Sequence, residues 1–246
     1  MCVYNVVHEL SLCLPPSSKV HGSFQSLLYP NHIFLPPKGP GWECITSGLM
    51  TSICAALVTR FNSKNIKIGT VRKHIKNAHI EMWGRVKLMD SEEGDTIWAS
   101  CVGMVPQDSR DATYVRYLAL VDVYARLKKF KPKFEMRTFY SQLEHIILIR
   151  FSDDACQEFQ IQMGSDIILA SIRRCKLDKD QPLEALGLHF HYYSNLGRHE
   201  VIGIESIKCL VGRVKDGGHG WVVMDCSGSL ARELYEGDND FENDLR

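Results

Sequence analysis

The side chains of this 246-residue chain that could do chemistry are paired histidines, a cluster of His, Asp and Ser, and a set of cations. His189 and His191 stand two apart, which puts both imidazoles on one face of a strand, as in some zinc sites. Zinc needs two further ligands, and neither the scattered cysteines nor His199 offers them by spacing. Two polar side chains on a strand account for the pair as well. His219, Asp225, Ser227 and Ser229 lie close together, but no GxSxG elbow presents either serine to a base. Neither a Walker loop nor GxGxxG occurs, so nucleotide binding lacks its signature; with the His pair and the serines read as above, no cofactor, metal or catalytic residue is expected. Arg60, Lys64, Lys67, Arg72, Lys73 and Lys76 form the remaining set, whose chemistry would be contact with phosphates.

Two other groups suit recognition or structure. Phe190, Tyr192, Tyr193 and Trp221 would line a partner groove if exposed, stacking on bases or caging a methylated lysine. Alternating aromatics also arise as core on one face and cross-strand pairs on the other. Asp108, Arg110, Asp111 and Arg116, in DSRDATYVRY (Asp108 to Tyr117), read as an ion-pair network that anchors a loop.

Apolar residues at 45% and charged ones at 24% are ordinary globular values. No run approaches the roughly 18 apolar residues of a transmembrane helix, so no membrane partner is expected. Met1 to Leu14 lacks a basic flank and holds Glu9 within its apolar part, which argues against a signal peptide. The nine cysteines are odd in number, widely spaced and without a CxxC, pointing to a reducing, intracellular compartment. Formal charge is zero overall, yet residues 1–90 hold ten Lys/Arg against four Asp/Glu, and residues 152–246 hold ten against seventeen. A basic front and an acidic back suggest a polyanion partner, contact between the halves, or solvated surface charge.

The elements that must position these residues divide the chain into four. Residues 1–44 contain the breakers Pro15-Pro16 and Pro36-Pro37-Lys38-Gly39-Pro40, giving an extended, partly ordered arm with one short strand within Phe24 to Leu35. Residues 45–82 form a helical hairpin. Met50, Ile53, Cys54, Leu57, Val58 and Phe61 repeat at helical spacing after Thr46 or Ser47 as N-cap. The second helix, capped by Thr70, carries Val71, Ile75, Ala78 and Met82 as its stripe. The eight residues between the helices are too many for a helix-turn-helix.

Residues 83–235 alternate with period two. Strands are expected at Gly84 to Met89, Asp95 to Val102, Tyr114 to Tyr124, Ile167 to Ile172, Leu188 to Tyr193, Glu200 to Ile204, Cys209 to Val214 and Trp221 to Asp225. Asp216 to Gly220 supplies the last hairpin turn, and Leu230 to Tyr235 a closing helix. The central strand is Phe134 to Phe151, entered from the basic loop Lys128 to Lys133 (KKFKPK). Ile146 and Leu148 break its polar side, so its later half is covered on both faces. Its length, roughly 59 Å if extended, requires a bend near Ser141. Residues 236–246 are acidic and expected to be disordered. The fold class is α+β: a small helical N-terminal part on a mainly antiparallel β-barrel or sandwich.

Several strings resemble the segment that follows the transposase in fungal CACTA-type DNA-transposon proteins, including the Plavaka-like group. They are WGRVKLMDSEEGDT (Trp83 to Thr96), DSRDATYVRY, FYSQLEHI (Phe139 to Ile146), CLVGRV (Cys209 to Val214) and WVVMDCSGSLAR (Trp221 to Arg232). The likeness spans Leu28 to Tyr235. It implies a nuclear protein connected with mobile DNA. The metal-binding acids of the RNase-H-like domain lie upstream of this segment in such proteins, so none is carried onto a residue here. The resemblance therefore implies a non-catalytic accessory domain; the basic front beside it suggests DNA contact through the basic helices. The alternative is a small-barrel module that binds a chromatin or transposon protein and not DNA. The barrel is also loosely similar to bromo-adjacent-homology domains, a likeness of fold alone.

Overall fold

Ile146, Ile147, Leu148 and Ile149 are all completely buried, which an extended chain achieves only with a layer against each face. The computed structural model that shows this describes residues 21–40, 45–61, 66–89, 95–102, 111–125, 127, 129–178, 190–217 and 220–225. The four side chains belong to β5 (Phe134–Arg150). One edge of its later half pairs antiparallel with β2 (His79–Leu88), and the other with β6 (Ile167–Leu177). The hydrogen-bonded order runs β1 (His32–Pro40), β2, β5, β6, β7 (Phe190–Gly203), β10 (Gly220–Met224), β9 (Gly212–Asp216). Off this path, β3 (Thr96–Trp98) pairs with β2, and β4 (Tyr114–Asp122) pairs with β5 and with β8 (Ile207–Leu210). The sheet curls into a half-barrel, and with three helices the class is α+β.

The register assigns the two layers. Ile147 and Ile149 stand beside Met82 and Ile80 on β2 and beside Leu169 and Ile167 on β6. This face carries α1 (Ser47–Phe61), α2 (Ile68–Ile75) and α3 (Asp153–Phe159), which bury Ile53, Leu57, Val71, Ile75 and Phe159 against it. Ile146 and Leu148 face the opposite way, into a second core with Phe34, Val86, Ile97 and Tyr117. A third cluster joins Tyr114, Tyr140, Cys175, Tyr193 and Val223 near β10. Each fully buried Leu or Ile contributes roughly 1.5–3 kcal/mol of transfer free energy, so β5 ties both layers together.

One carboxylate lies inside this frame. Glu81, 6% exposed, has Lys38 Nζ and His79 Nε2 each at 2.8 Å and Arg150 Nη1 at 3.4 Å. Burial alone would push its carboxyl up. The hydrogen bonds from Lys38 and His79 and the charges of Lys38 and Arg150 outweigh burial and hold it below the usual 4.5. Because the folded chain keeps this acid stronger than the unfolded chain does, its stabilisation is present above pH 4.5 and is lost as pH falls toward the folded value. Thermal melts should show the wild type losing stability more steeply than Glu81→Gln below pH 4.5. Identical acid limbs would remove Glu81 from this role.

Several sequence expectations are corrected. Pro36, Pro37 and Pro40 sit inside β1 and not in a breaker loop, because β1 is a sheet edge and its register shifts between Leu35 and Lys38. Gly84 makes this possible, since a Cβ there would lie 2.5 Å from Pro37 Cδ and 3.0 Å from Val102 Cγ2. The second helix ends at Ile75 and is preceded by Lys67, not by a Thr70 cap; Met82 lies on β2. The irregularity in β5 falls between Leu143 and His145, just past Ser141. The two strands expected around Ser194 to His199 are one, β7, because the long β6 continues alongside. Cys209 to Val214 divides into β8 and β9 around Val211. The closing helix and the acidic tail lie outside the described residues.

Candidate nucleic-acid interface

The basic surface rests on two short-range features of the helical hairpin. Thr46 Oγ1 accepts the Leu49 N–H at 3.2 Å, capping α1 as expected. Leu49, Ile53, Cys54 and Leu57 then bury one side of α1. On α2 the buried positions are Val71 and Ile75, so the 3.6-residue period turns Arg72, Lys73 and Lys76 outward. Lys67, exposed, immediately precedes the helix in an extended conformation. Part of this arrangement is local in origin, because cations in a last turn favourably meet the negative end of the helix dipole.

Arg72 Nη2 donates to Thr51 Oγ1 at 2.9 Å, holding α2 to the first turns of α1. Between them is an open cleft of about 420 Å³, lined by Ser47, Gly48, Met50, Thr51, Arg72 and Lys76. Among the described residues, no carboxylate forms an ion pair with Lys67, Arg72, Lys73 or Lys76. Their charge is therefore presented outward.

Arg60 stands apart from this group. Its Nη1 meets Glu205 at 2.9 Å and its Nη2 donates to the Tyr29 hydroxyl at 3.0 Å. The same hydroxyl accepts the Ile168 N–H at 3.1 Å, so Arg60 braces α1 against the sheet. Lys64 lies outside the described residues.

The four groove aromatics do not share a face. Tyr193 pairs with Trp221 in the ladder, while Tyr192 pairs with Val222 and Phe190 with Met224. Alternation sends the first pair to one side of the sheet and the other two pairs to the opposite side. Tyr193 is 2% exposed, and the Arg213 guanidinium lies 3.4 Å from the Trp221 ring centroid. That stacking occupies a ring face that a cage would offer to a methylated lysine.

His191 packs on Tyr140 with ring centroids 4.7 Å apart; His189, His219, Ser227 and Ser229 lie outside the described residues. Asp225 accepts from Arg116 and from the Tyr140 hydroxyl, each at 3.1 Å. Burial, reinforced by the Asp225 charge, raises the Tyr140 hydroxyl above its ordinary range. Asp111 and Arg116 do not pair with each other: Asp111 meets Arg213 at 3.0 Å, so both bridge to distant strands. Asp108 and Arg110 lie outside the described residues. Burial pushes the Cys175 thiol up to about 12 and raises Cys54 and Cys156 as well, which keeps these thiols protonated.

Sequence reasoning missed two features. Ser47 and Thr51 join the basic cleft through the helix–helix packing, which spacing within either helix does not reveal. The β4–β5 ribbon was signalled only by alternation on both sides of the basic loop, which gives two strands without their pairing. Compared with protein-family models, with curated proteins and with solved structures, the chain finds no match.

Proposed function

We propose that the chain is a non-catalytic, nuclear accessory domain of a DNA-transposon-derived protein, contacting duplex DNA through the surface of α2. The observation that carries this reading is the outward display of Lys67, Arg72, Lys73 and Lys76 with no carboxylate partner among the described residues. Four cations around one short helix, with no ion-pair partner among the described residues, fit a polyanion, and neutralising phosphates releases condensed counterions. The transposon-like strings support DNA as that polyanion. Contact of this kind positions the protein without reading bases.

Footprinting by lysine acetylation tests the surface directly. Duplex DNA should protect Lys67, Lys73 and Lys76 while leaving the exposed Lys176 on β6 reactive. Equal reactivity of all four lysines with and without DNA would defeat the proposal.

A further inference from the structure

The first half of β5 and the second half of β4 extend beyond the rest of the sheet. Leu118 to Asp122 pairs with Phe134 to Thr138, and the contacts of β4 with β8 stop at Tyr117. Such an arm would be expected to be polar, yet Leu120 is 64% exposed, Phe134 62%, and Phe130 and Met136 59% each. Leu120 sits opposite Met136 and Asp122 opposite Phe134, so the three apolar side chains occupy one face of the ribbon.

Hydrogen bonds hold the described residues where the apex begins and ends. Asp122 Oδ1 accepts the N–H groups of Tyr124 at 2.9 Å and Lys133 at 3.0 Å. The Phe130 ring rests on Tyr124 with centroids 5.2 Å apart, which leaves most of the residue in solvent. Around it, Lys129 and Lys131 are exposed and form no ion pair among the described residues, whereas Lys133 is held by Glu135 at 2.8 Å. Along Lys129 to Phe134 (KFKPKF) cations take every second position, with Phe130, Pro132 and Phe134 between and after them.

We propose that this arm is a second nucleic-acid surface, specific for an unpaired strand. Phe130 and Phe134 stack on exposed bases while Lys129 and Lys131 take the flanking phosphates. A single strand presents the same alternation of apolar face and negative charge, and every base has a face to stack. An anionic bilayer fits less well. Insertion requires rings at the apex with cations set back at the headgroups, and here two lysines bracket the apical ring. The arm is separate in sequence from the α2 surface and does not depend on it.

Fluorescence anisotropy on the full chain, with a labelled oligothymidylate of about 20 nucleotides and a duplex of the same length, separates the two. Phe130→Ala with Phe134→Ala should weaken oligothymidylate binding about tenfold or more and leave duplex binding unchanged. Lys73→Glu with Lys76→Glu should do the reverse. Oligothymidylate binding that ignores the loss of both rings would overturn the proposal, as would its absence in the wild type. Binding to phosphatidylserine vesicles that depends on the same rings, without oligothymidylate affinity, would reassign the arm to a membrane. Both phenylalanines are exposed, so the double variant keeps the fold, with an unchanged melting temperature as control.

Discussion

Replacing Lys73 and Lys76 together by glutamate is expected to reduce duplex affinity by about 100-fold or more at low salt, because two phosphate contacts become two repulsions. Both side chains point away from the core, and neither forms an ion pair among the described residues. The substitutions therefore leave the helix packing of Val71 and Ile75 intact. The salt dependence should fall with the affinity, by roughly 0.9 in logarithmic slope for each contact removed. Arg60→Ala serves as the contrast. It removes a cation from the same hairpin, but one engaged with Glu205 and Tyr29, so stability should change more than DNA binding. If both substitutions weakened DNA binding equally, overall charge and not the α2 surface would be responsible.

The second large effect concerns the core. Leu148→Ala and Ile149→Ala should each destabilise the chain by about 2–5 kcal/mol, through lost transfer free energy and the cavity left behind. The two side chains are adjacent on β5, both completely buried, and point into different cores. A strand covered on one side only would show one large effect and one small one. Denaturant midpoints decide between these patterns, provided the slope is unchanged. A cost below about 1 kcal/mol at either position would deny the two-layer arrangement.

The two-sided burial of β5 was legible because Ile146 and Leu148 spoil an otherwise alternating polar side. A strand apolar on both sides is stable only between two layers. The first helix was legible for a similar reason, and its cap to within one residue, since local hydrogen bonding and an apolar stripe agree. The end of α2 was not. Met82 continues the helical spacing from Val71 and Ile75, and it equally begins the alternation of β2, where it pairs with Ile147. Only long-range pairing chooses between the two periods.

The same limit applies to β1 and β7. Three prolines argue against a strand unless an edge position and a bulge are available, and neither is visible locally. In β7, Ser194, Asn195, Arg198 and His199 carry no apolar alternation, so nothing local distinguishes a strand from a turn. For the basic site, the spacing gave the outward cations of α2 but could not separate Arg60, whose partners Tyr29 and Glu205 are distant in sequence. The four aromatics do not share one face for a simple reason. Tyr192 and Tyr193 are neighbours on a strand, and neighbours on a strand face opposite ways.

Neutralisation of DNA phosphates by α2 is tested most directly by a salt titration of wild-type binding to a labelled duplex. Starting from about 50 mM salt, the logarithm of the association constant should fall linearly with the logarithm of salt concentration, with a slope of about −3 to −4 for four cations. No affinity at about 50 mM salt, or affinity indifferent to salt, would contradict it.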